Sequence, residues 1–320
     1  MAIVYGDRAH NVHLTGTGRF LPPGVITNGE LSRMVDTSDE WIVSHTGIRT
    51  RHIARGLSVT DMAVGAARAA LECAGLAPQD IGVVVATTVT PERRLPSLAC
   101  DVQANLGIAN AFCVDINASC TGFIYAVDIV ARYLATGGAK HALVVSAEKL
   151  TDIMDFTDRT TCILFGDGAG AAVFTASDEP GGLLGSYLAA RGDGGAALRC
   201  RWDGCIEMDG HEVFRFAVRA LPEAVGKAMA LSGRDLSELA YAIPHQANRR
   251  IIDAAMRRCG IPPDKVAVTV DRHGNTSSAS IPIALDELNR DGRLRPGDLV
   301  VLVGFGAGLT YGAVVLEVSD

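Results

Sequence analysis

Short unbroken apolar runs alternate along most of this chain with longer segments whose apolar positions recur on a helical period, and the longer segments end at glycine. The pattern predicts a helix over 63–74 stopped at Gly75, then a strand over 81–86. A helix over 99–106 stops at Gly107, and a run over 111–116 reads as a buried strand. The segment 122–134 is apolar on nearly every side, so it is expected to be a buried helix, closed by Gly137 and Gly138 and followed by a strand over 141–146. A glycine turn then leads into a strand over 165–174. Upstream, a strand over 11–18 precedes the turn Leu21-Pro22-Pro23. A helix opens at Thr27-Asn28 with Asn28 as the expected cap, and another opens at Thr37-Ser38-Asp39 and runs on through Trp41.

The second half repeats the order. Helices over 224–231, 251–259 and 281–288 precede strands over 239–245, 266–270 and 299–303, and residues 305–315 match the glycine turn and strand of 165–174. The chain therefore reads as two α/β halves, 1–175 and 176–320. Alternation this dense implies parallel sheets covered on both faces, with sites at the carboxyl ends of strands. Aligning Val114-Asp115 with Val270-Asp271 places Cys120 and Asn275 at nearly equivalent turns. His245 then ends the strand equivalent to the one ending at Thr87-Thr88, so the three residues are expected to converge where the halves meet.

Composition narrows the class. Hydrophobic residues make up 48% of 320 positions, so neither half lacks a core, and 35 glycines suit many tight turns. A net charge of −7 argues against nonspecific nucleic-acid binding, which requires a basic surface. The eight cysteines form no CxxC pair and no zinc-like spacing with histidine. Residues Met1 to Asp7 carry no basic segment followed by an apolar core, and no apolar stretch is long enough to span a membrane, so a reduced, cytoplasmic protein is expected.

Cys120 reads as a nucleophile rather than an inert core cysteine, because of the company it finds later in the chain. It stands where a strand hands over to the buried helix, and a thiol on a first helical turn faces unpaired N–H groups and the positive end of the dipole, which favour thiolate. A cysteine, a histidine and an asparagine on three strand ends make a usable kit. The thiolate takes an acyl group from a thioester, and two neutral donors stabilise an enolate on a second thioester, which permits decarboxylation. The glycine run 304–308 supplies either an oxyanion hole or only a tight turn. Trp41, beside several arginines, either stacks a nucleotide base or packs in the core.

Together, the stretch 115–123, Pro244-His245-Gln246-Ala247-Asn248, His273-Gly274-Asn275-Thr276-Ser277 and the run 304–312 resemble β-ketoacyl-acyl-carrier-protein synthase III, the initiating condensing enzyme of bacterial type II fatty-acid synthesis. Trp41-Ile42-Val43, Thr46-Gly47-Ile48, Thr157-Asp158-Arg159 and the segment 165–170 extend the likeness over essentially the whole chain. The resemblance implies a thiolase-like α/β fold of two pseudo-repeated halves layered α-β-α-β-α, and a homodimer. It also implies condensation of a short acyl-CoA, acetyl-CoA or similar, with malonyl-acyl-carrier protein, giving 3-oxoacyl-acyl-carrier protein, CoA and CO2. Acyl-CoA is a substrate there, and no metal or other cofactor is implied. Cys120 corresponds to the acylated nucleophile, and His245 and Asn275 to the residues that hold and polarise the malonyl thioester. The N–H groups of Cys120 and Ala307 correspond to the oxyanion hole, with Ala307 where the family usually has glycine. Trp41 and Arg159 match a pair that sandwiches the CoA adenine, Thr37 and Asn248 match further CoA or pantetheine contacts, and Leu95 and Phe305 match acyl-pocket positions, Leu95 reaching across the dimer.

The chain departs from the pattern near the nucleotide and the acyl pocket. His45 stands where the family usually has arginine, Thr160 replaces a small residue, and the segment 192–210, with Trp202, Cys200 and Cys205, is short. Arg249, Arg250, Arg257 and Arg258 share a predicted helix, and Arg215 matches another basic position. They form either a solvated face or, as the resemblance implies, the landing site for an acidic carrier protein, chiefly through Arg250. A second reading within the fold is a condensing enzyme or acyltransferase of a natural-product pathway. A noncatalytic partner subunit is disfavoured by the presence of Cys120, His245 and Asn275. Thiolases and hydroxymethylglutaryl-CoA synthases pair the nucleophile with a second cysteine or a glutamate, and elongating synthases use two histidines, so Asn275 sets the chain apart from all three.

Overall fold

The computed structural model describes residues 10–319; the stretch Met1 to Asp7 examined for a targeting signal lies outside them. Strands β1 (Asn11–Phe20), β2 (Ile81–Thr87), β3 (Phe112–Ile116), β4 (His141–Lys149) and β5 (Asp167–Ser177) form one sheet in the order β1-β5-β4-β2-β3. Strands β6 (Leu183–Ala190), β7 (Leu239–Pro244), β8 (Leu299–Gly306) and β9 (Thr310–Glu317) form a second, ordered β7-β8-β9-β6. The chain passes from one sheet to the other between Ser177 and Leu183.

Side-chain parity builds the layers. Val83 and Val85 of β2 and Val300 and Leu302 of β8 face a shared core, into which helices α4 (Gly122–Ala135) and α7 (Ser280–Arg290) pack. Val84 and Ala86 face helix α2 (Val59–Ala74) and helix α3 (Leu98–Leu106) on the outside of the first sheet. Val301 and Val303 face α5 (Gly210–Ser232) and α6 (Arg249–Cys259) outside the second. The result is the α-β-α-β-α sandwich expected of the fold class. Phe123 and Ile124 of α4 are fully buried, each worth roughly 1.5–3 kcal/mol over exposure. The helices stop where glycine adopts positive φ, as at Gly75 (64°) and Gly260 (77°). Among the described residues, no helix is long and apolar enough to cross a membrane.

Several elements differ from the sequence reading. The sheets are mixed: β2 runs parallel to β3 and β4, but β5 is antiparallel to β4 and β1, and β9 is antiparallel to β8 and β6. The connection 150–166 reverses the chain with only a short 3-10 turn, and Gly168 and Gly170, expected in a turn, lie within β5 itself. Strand β3 lies at a sheet edge rather than in the interior, with Phe112 half exposed and stacked on Tyr133 at 5.8 Å. Thr27, not Asn28, caps the helix Asn28–Leu31 in a box with Glu30, because the Asn28 amide is committed to Asp39 and the Ile48 carbonyl, both at 2.8 Å. Helix α5 begins at Gly210 and carries Pro222 inside it, well before the predicted residue 224.

The expected strand over 266–270 does not form. Its backbone is captured by one side chain: Gln246 Oε1 accepts the N–H groups of Thr269 (2.8 Å) and Val270 (3.1 Å), while Nε2 donates to the carbonyls of Pro244 (2.7 Å) and Ala267 (3.1 Å). A lone bridge between Ala242 and Val266 remains, and residues Val270–His273 turn into a short helix.

The two halves repeat with one spacing. Ile81 and Leu239 start β2 and β7, His141 and Leu299 start β4 and β8, Gly122 and Ser280 start α4 and α7, and each pair is 158 positions apart. Ser119 and Ser277 are also 158 apart, share a φ of 49°, and each gives its N–H to an asparagine side chain, Asn117 or Asn275. The turns are therefore equivalent, but the alignment corrects the earlier one: Asn275 matches Asn117, and Cys120 matches Ser278.

Because Gln246 is buried and satisfies four backbone groups, Gln246→Ala is expected to lower unfolding free energy by at least about 2 kcal/mol, at ~1–3 kcal/mol per orphaned group. The exposed Gln79→Ala serves as the control and stays within about 0.5 kcal/mol in the same denaturant titration.

Candidate active site

The turn that carries Cys120 is fixed from both sides. At its start, Asp115 accepts the N–H groups of Leu98 (2.7 Å) and Ala99 (2.8 Å), tying β3 to the start of α3. Thr121 donates to the Ala118 carbonyl at 2.6 Å and shares a hydrogen bond with Thr310 at 2.5 Å. Two glycines permit the close approach. A Cβ on Gly122 would lie 1.9 Å from Thr87 Oγ1, and one on Gly306 would lie 2.7 Å from the Cys120 nitrogen. Gly304, two residues earlier on β8 and so on the same face, sits beside His245, where an added Cβ would be 3.6 Å from the histidine Cβ. Cys120 and His245 are thus neighbours along one strand face, spaced by about two residues of strand, or ~7 Å.

Burial dominates the electrostatics. Cys120 is only 8% exposed, and its desolvation pushes the thiol from 9.0 up to about 12. Glu148 adds to the rise, whereas the Ser277 hydroxyl and the cysteine's own N–H act against it. A helix N-terminus offers an adjacent anion at most about 2 kcal/mol, near 1.5 pH units, which does not offset that rise. Burial therefore outweighs the helix end: it pushes the thiol toward its neutral form against the pull toward thiolate expected from the position on the first turn.

His245 is equally neutral. Burial lowers its imidazole to about 3. Its Nδ1 lies 2.7 Å from Ser280 Oγ, which also accepts the Gln246 N–H at 3.2 Å, so the serine proton is directed at Nδ1 and Nε2 carries the ring proton. Phe305 packs edge-on against the imidazole, centroids 5.5 Å apart. Asn275 is held by its own backbone, which bridges Phe165, and by its Oδ1, which accepts the Ser277 N–H at 2.9 Å. Its Nδ2 makes no hydrogen bond to any described residue and is free to donate.

A cavity of about 790 Å³ opens beside Cys120, with Thr88, Leu150, Ile153, Phe165, Leu198 and Ile206 in its wall, and Ala307 and Trp202 also line it. Phe305, assigned to the acyl pocket from the sequence, is absent from this wall and instead supports His245; Phe165 takes the lining place. Leu95 is 83% exposed and is not part of the wall of its own chain's cavity.

The residues expected on the nucleotide side gather near the surface. The Arg159 guanidinium lies 5.4 Å from the Trp41 ring and donates to the Asp36 carbonyl at 2.8 Å. His45 stacks on the other partner, Trp41, at 4.1 Å and bonds its carbonyl at 2.7 Å, so the histidine braces the indole rather than projecting as a free cation. Thr160 is bound to Asp158. The Thr37 hydroxyl is buried without a partner. Asn248 caps α6 through the Arg250 N–H (2.8 Å) and reaches the His45 carbonyl (3.1 Å). Arg249 is paired with Asp253 and Arg215 with Glu212, whereas Arg250, Arg257 and Arg258 are exposed. Sequence reasoning missed Ser277, Ser280 and Glu148. Glu148, a lone acid in an apolar strand, was the one with a visible signal.

Comparison with known proteins places this geometry. Residues 114–198 match the family described as 3-oxoacyl-[acyl-carrier-protein (ACP)] synthase III, and residues 229–318 match its C-terminal part. The chain is 48% identical over 308 residues to the beta-ketoacyl-[acyl-carrier-protein] synthase III of Oceanobacillus iheyensis, covering 96% of this chain and 99% of the relative. The crystal structure of the 3-oxoacyl-[acyl-carrier-protein] synthase III of Aquifex aeolicus superposes with a TM-score of 0.94 at 44% identity, covering 96% and 99% of the two chains. The priming beta-ketosynthase of the R1128 polyketide pathway superposes with a TM-score of 0.95 at 38% identity, covering 100% and 99%.

The buried imidazole has a measurable signature. Unfolded, it binds a proton near 6.5; folded, only near 3, so between those values the unfolded state holds more protons and acid favours unfolding. Relative to a His245→Gln variant, the native protein should lose stability as pH falls through that window, by up to about 1.4 kcal/mol per pH unit. Parallel stability curves for the two proteins would show that the imidazole is not desolvated.

Proposed function

The chain belongs to the 3-oxoacyl-[acyl-carrier-protein] synthase III family, and from that premise we propose that Cys120, His245 and Asn275 carry out its condensation. The protein is an acyltransferase of the condensing type that initiates fatty-acid synthesis. Its two halves are assigned to 1–175 and 176–320. In the proposed cycle Cys120 attacks the thioester of a short acyl-CoA, the N–H groups of Cys120 and Ala307 receive the oxyanion, and CoA departs. The malonyl thioester of the carrier protein then binds with its carbonyl between His245 Nε2–H and Asn275 Nδ2–H. These donors stabilise the enolate formed as CO2 leaves, and the enolate carbon attacks the acyl group on Cys120. The observation that carries this reading is the fixing of His245, whose Nδ1 lies 2.7 Å from Ser280 Oγ. With burial holding the imidazole in its neutral form, Nε2–H donates a hydrogen bond without surrendering a proton to the enolate.

The stacked Trp41 and Arg159 support a binding place for the CoA adenine, with Thr37 and Asn248 near the pantetheine arm. Carrier-protein docking is assigned to Arg250, with Arg257 and Arg258 alongside; Arg249 and Arg215 sit in exposed ion pairs worth about 1 kcal/mol or less, which an acidic partner can replace. The half-exposed edge strand β3 and the protruding Leu95 support a homodimer joined along that edge, with Leu95 closing the partner subunit's acyl cavity. The likeness to a priming ketosynthase of a polyketide pathway supports a second reading, in which the primer feeds a natural product; a panel of acyl-CoAs separates the two.

Intact-mass spectrometry after acetyl-CoA treatment tests the roles. Asn275→Ala should gain the acyl mass yet lose condensation by about 10²–10³-fold, the usual cost of one such donor. Cys120→Ala should gain no mass; an acyl adduct on that variant would contradict the assignment. Sedimentation of Phe112→Lys should show a shift toward monomer, and an unchanged dimer would place the interface elsewhere.

A further inference from the structure

Behind Cys120 lies a buried carboxyl that the condensation described above does not use. Glu148, near the end of β4, is fully buried. One oxygen accepts the Ser278 hydroxyl at 2.6 Å; the other accepts the Val89 N–H at 2.9 Å and faces the hydroxyls of Thr88 (3.2 Å) and Thr90 (3.3 Å). Both threonine oxygens already accept backbone N–H groups, from Thr90 (3.0 Å) and Lys149 (2.8 Å), so their own protons turn toward the carboxyl. Every neighbour is a donor, which is the surrounding of a carboxylate. No cation among the described residues pairs with it: Lys149 turns to Asp152 at 3.2 Å. The titratable group that faces it is the Cys120 thiol; His245 is engaged with Ser280. Burial holds the Glu148 carboxyl above its ordinary value, which makes it a stronger base.

Ser277 lines the cavity together with Cys120 and directly precedes Ser278, which holds the Glu148 carboxyl. It is 2% exposed, its hydroxyl is buried without a hydrogen-bond partner, and that hydroxyl favours the charged form of both the thiol and the carboxyl. Its φ of 49° is a conformation that costs a residue with a side chain about 1–3 kcal/mol. An unpartnered buried hydroxyl on a strained residue beside a nucleophile calls for a role.

We propose that Ser277 and Glu148 form the proton path for acylation: Cys120 passes its proton to Ser277 Oγ while Ser277 passes its own to Glu148. The step balances. As the Sγ–C bond forms, Glu148 becomes a carboxylic acid; when the C–S bond to CoA breaks, the CoA sulfur takes a proton from Ser277, which regains one from Glu148. Acyl-CoA and thiol become acyl-enzyme and CoA with no net proton change. Ser278, the positional mate of Cys120 in the second half, is the residue that anchors the carboxyl, so the repeat supplies a nucleophile on one side and its base's support on the other.

The inference rests on Cys120 as the acylated residue, and the test separates the two claims. Acylation by acetyl-CoA is followed by rapid-quench mass spectrometry from pH 5 to 9 in the native protein, Ser277→Ala, Glu148→Gln and the double variant, with melting temperature as the check of folding. Each single change should slow acylation about 10²-fold at pH 7, the usual worth of a general base. The double variant should be no slower than either, because both act on one proton. The rate in Glu148→Gln should rise tenfold per pH unit without the plateau seen in the native protein. Acylation at the native rate in folded Ser277→Ala would overturn the proton path, as would losses that multiply in the double variant. Ser277→Ala alone decides the matter if Glu148→Gln does not fold. Failure of the native protein to acquire an acyl group on Cys120 would instead overturn the reading of the nucleophile.

Discussion

Gly306 has no room for a side chain, and the site depends on that. Its Cα faces the Cys120 nitrogen so closely that a methyl group would stand 2.7 Å from it, and the same strand face holds His245 beside Gly304. The start of α4 is pressed against β2 in the same way, through Gly122 and Thr87. Close backbone contact at these points lets two halves, each an ordinary α/β unit, set a thiol and an imidazole along one strand face without either lying on a long loop. Sites built on strand ends and helix starts hold their geometry better than sites on loops, because the neighbouring ladder and core fix the backbone.

Burial is also what sets the protonation states. The same desolvation that raises the Cys120 thiol to about 12 lowers the His245 imidazole to about 3, so both groups rest neutral. A charged pair would be the expectation for a cysteine that hydrolyses or merely transfers. A neutral histidine fixed by Ser280 and an amide with a free Nδ2 suit a different task, the stabilisation of negative charge that appears only during reaction. The cost is that the thiol proton needs somewhere to go, the task proposed above for Ser277 and Glu148.

The layered fold was legible because the apolar runs of β2, β4 and β8 and the glycine stops at Gly75, Gly107 and Gly260 are local signals. The repeat was legible too, but its register was not: aligning Val114-Asp115 with Val270-Asp271 missed by two positions, because the equivalence is carried by matching φ angles and asparagine bonds at Ser119 and Ser277. Strand 266–270 failed for a reason no local pattern shows, the capture of its backbone by Gln246. Cys120, His245 and Asn275 stood out by motif. The ring of Phe305 turns to His245, and Ser277 and Ser280 carried no signal of their own because their meaning lies in what the fold sets beside them; Glu148 stood out only as a lone acid in an apolar strand. The pull of the helix end toward thiolate is a local signal, whereas the opposing push of desolvation arises only in the assembled fold.

The central claim is that desolvation keeps the nucleophile a neutral thiol at rest. The most direct measurement is the ultraviolet thiolate absorbance of the native protein minus that of Cys120→Ser, titrated from pH 5 to 10. No thiolate step is expected across that range, because burial pushes the thiol up to about 12. A step below pH 8 belonging to Cys120 would contradict it and restore the helix terminus as the dominant influence.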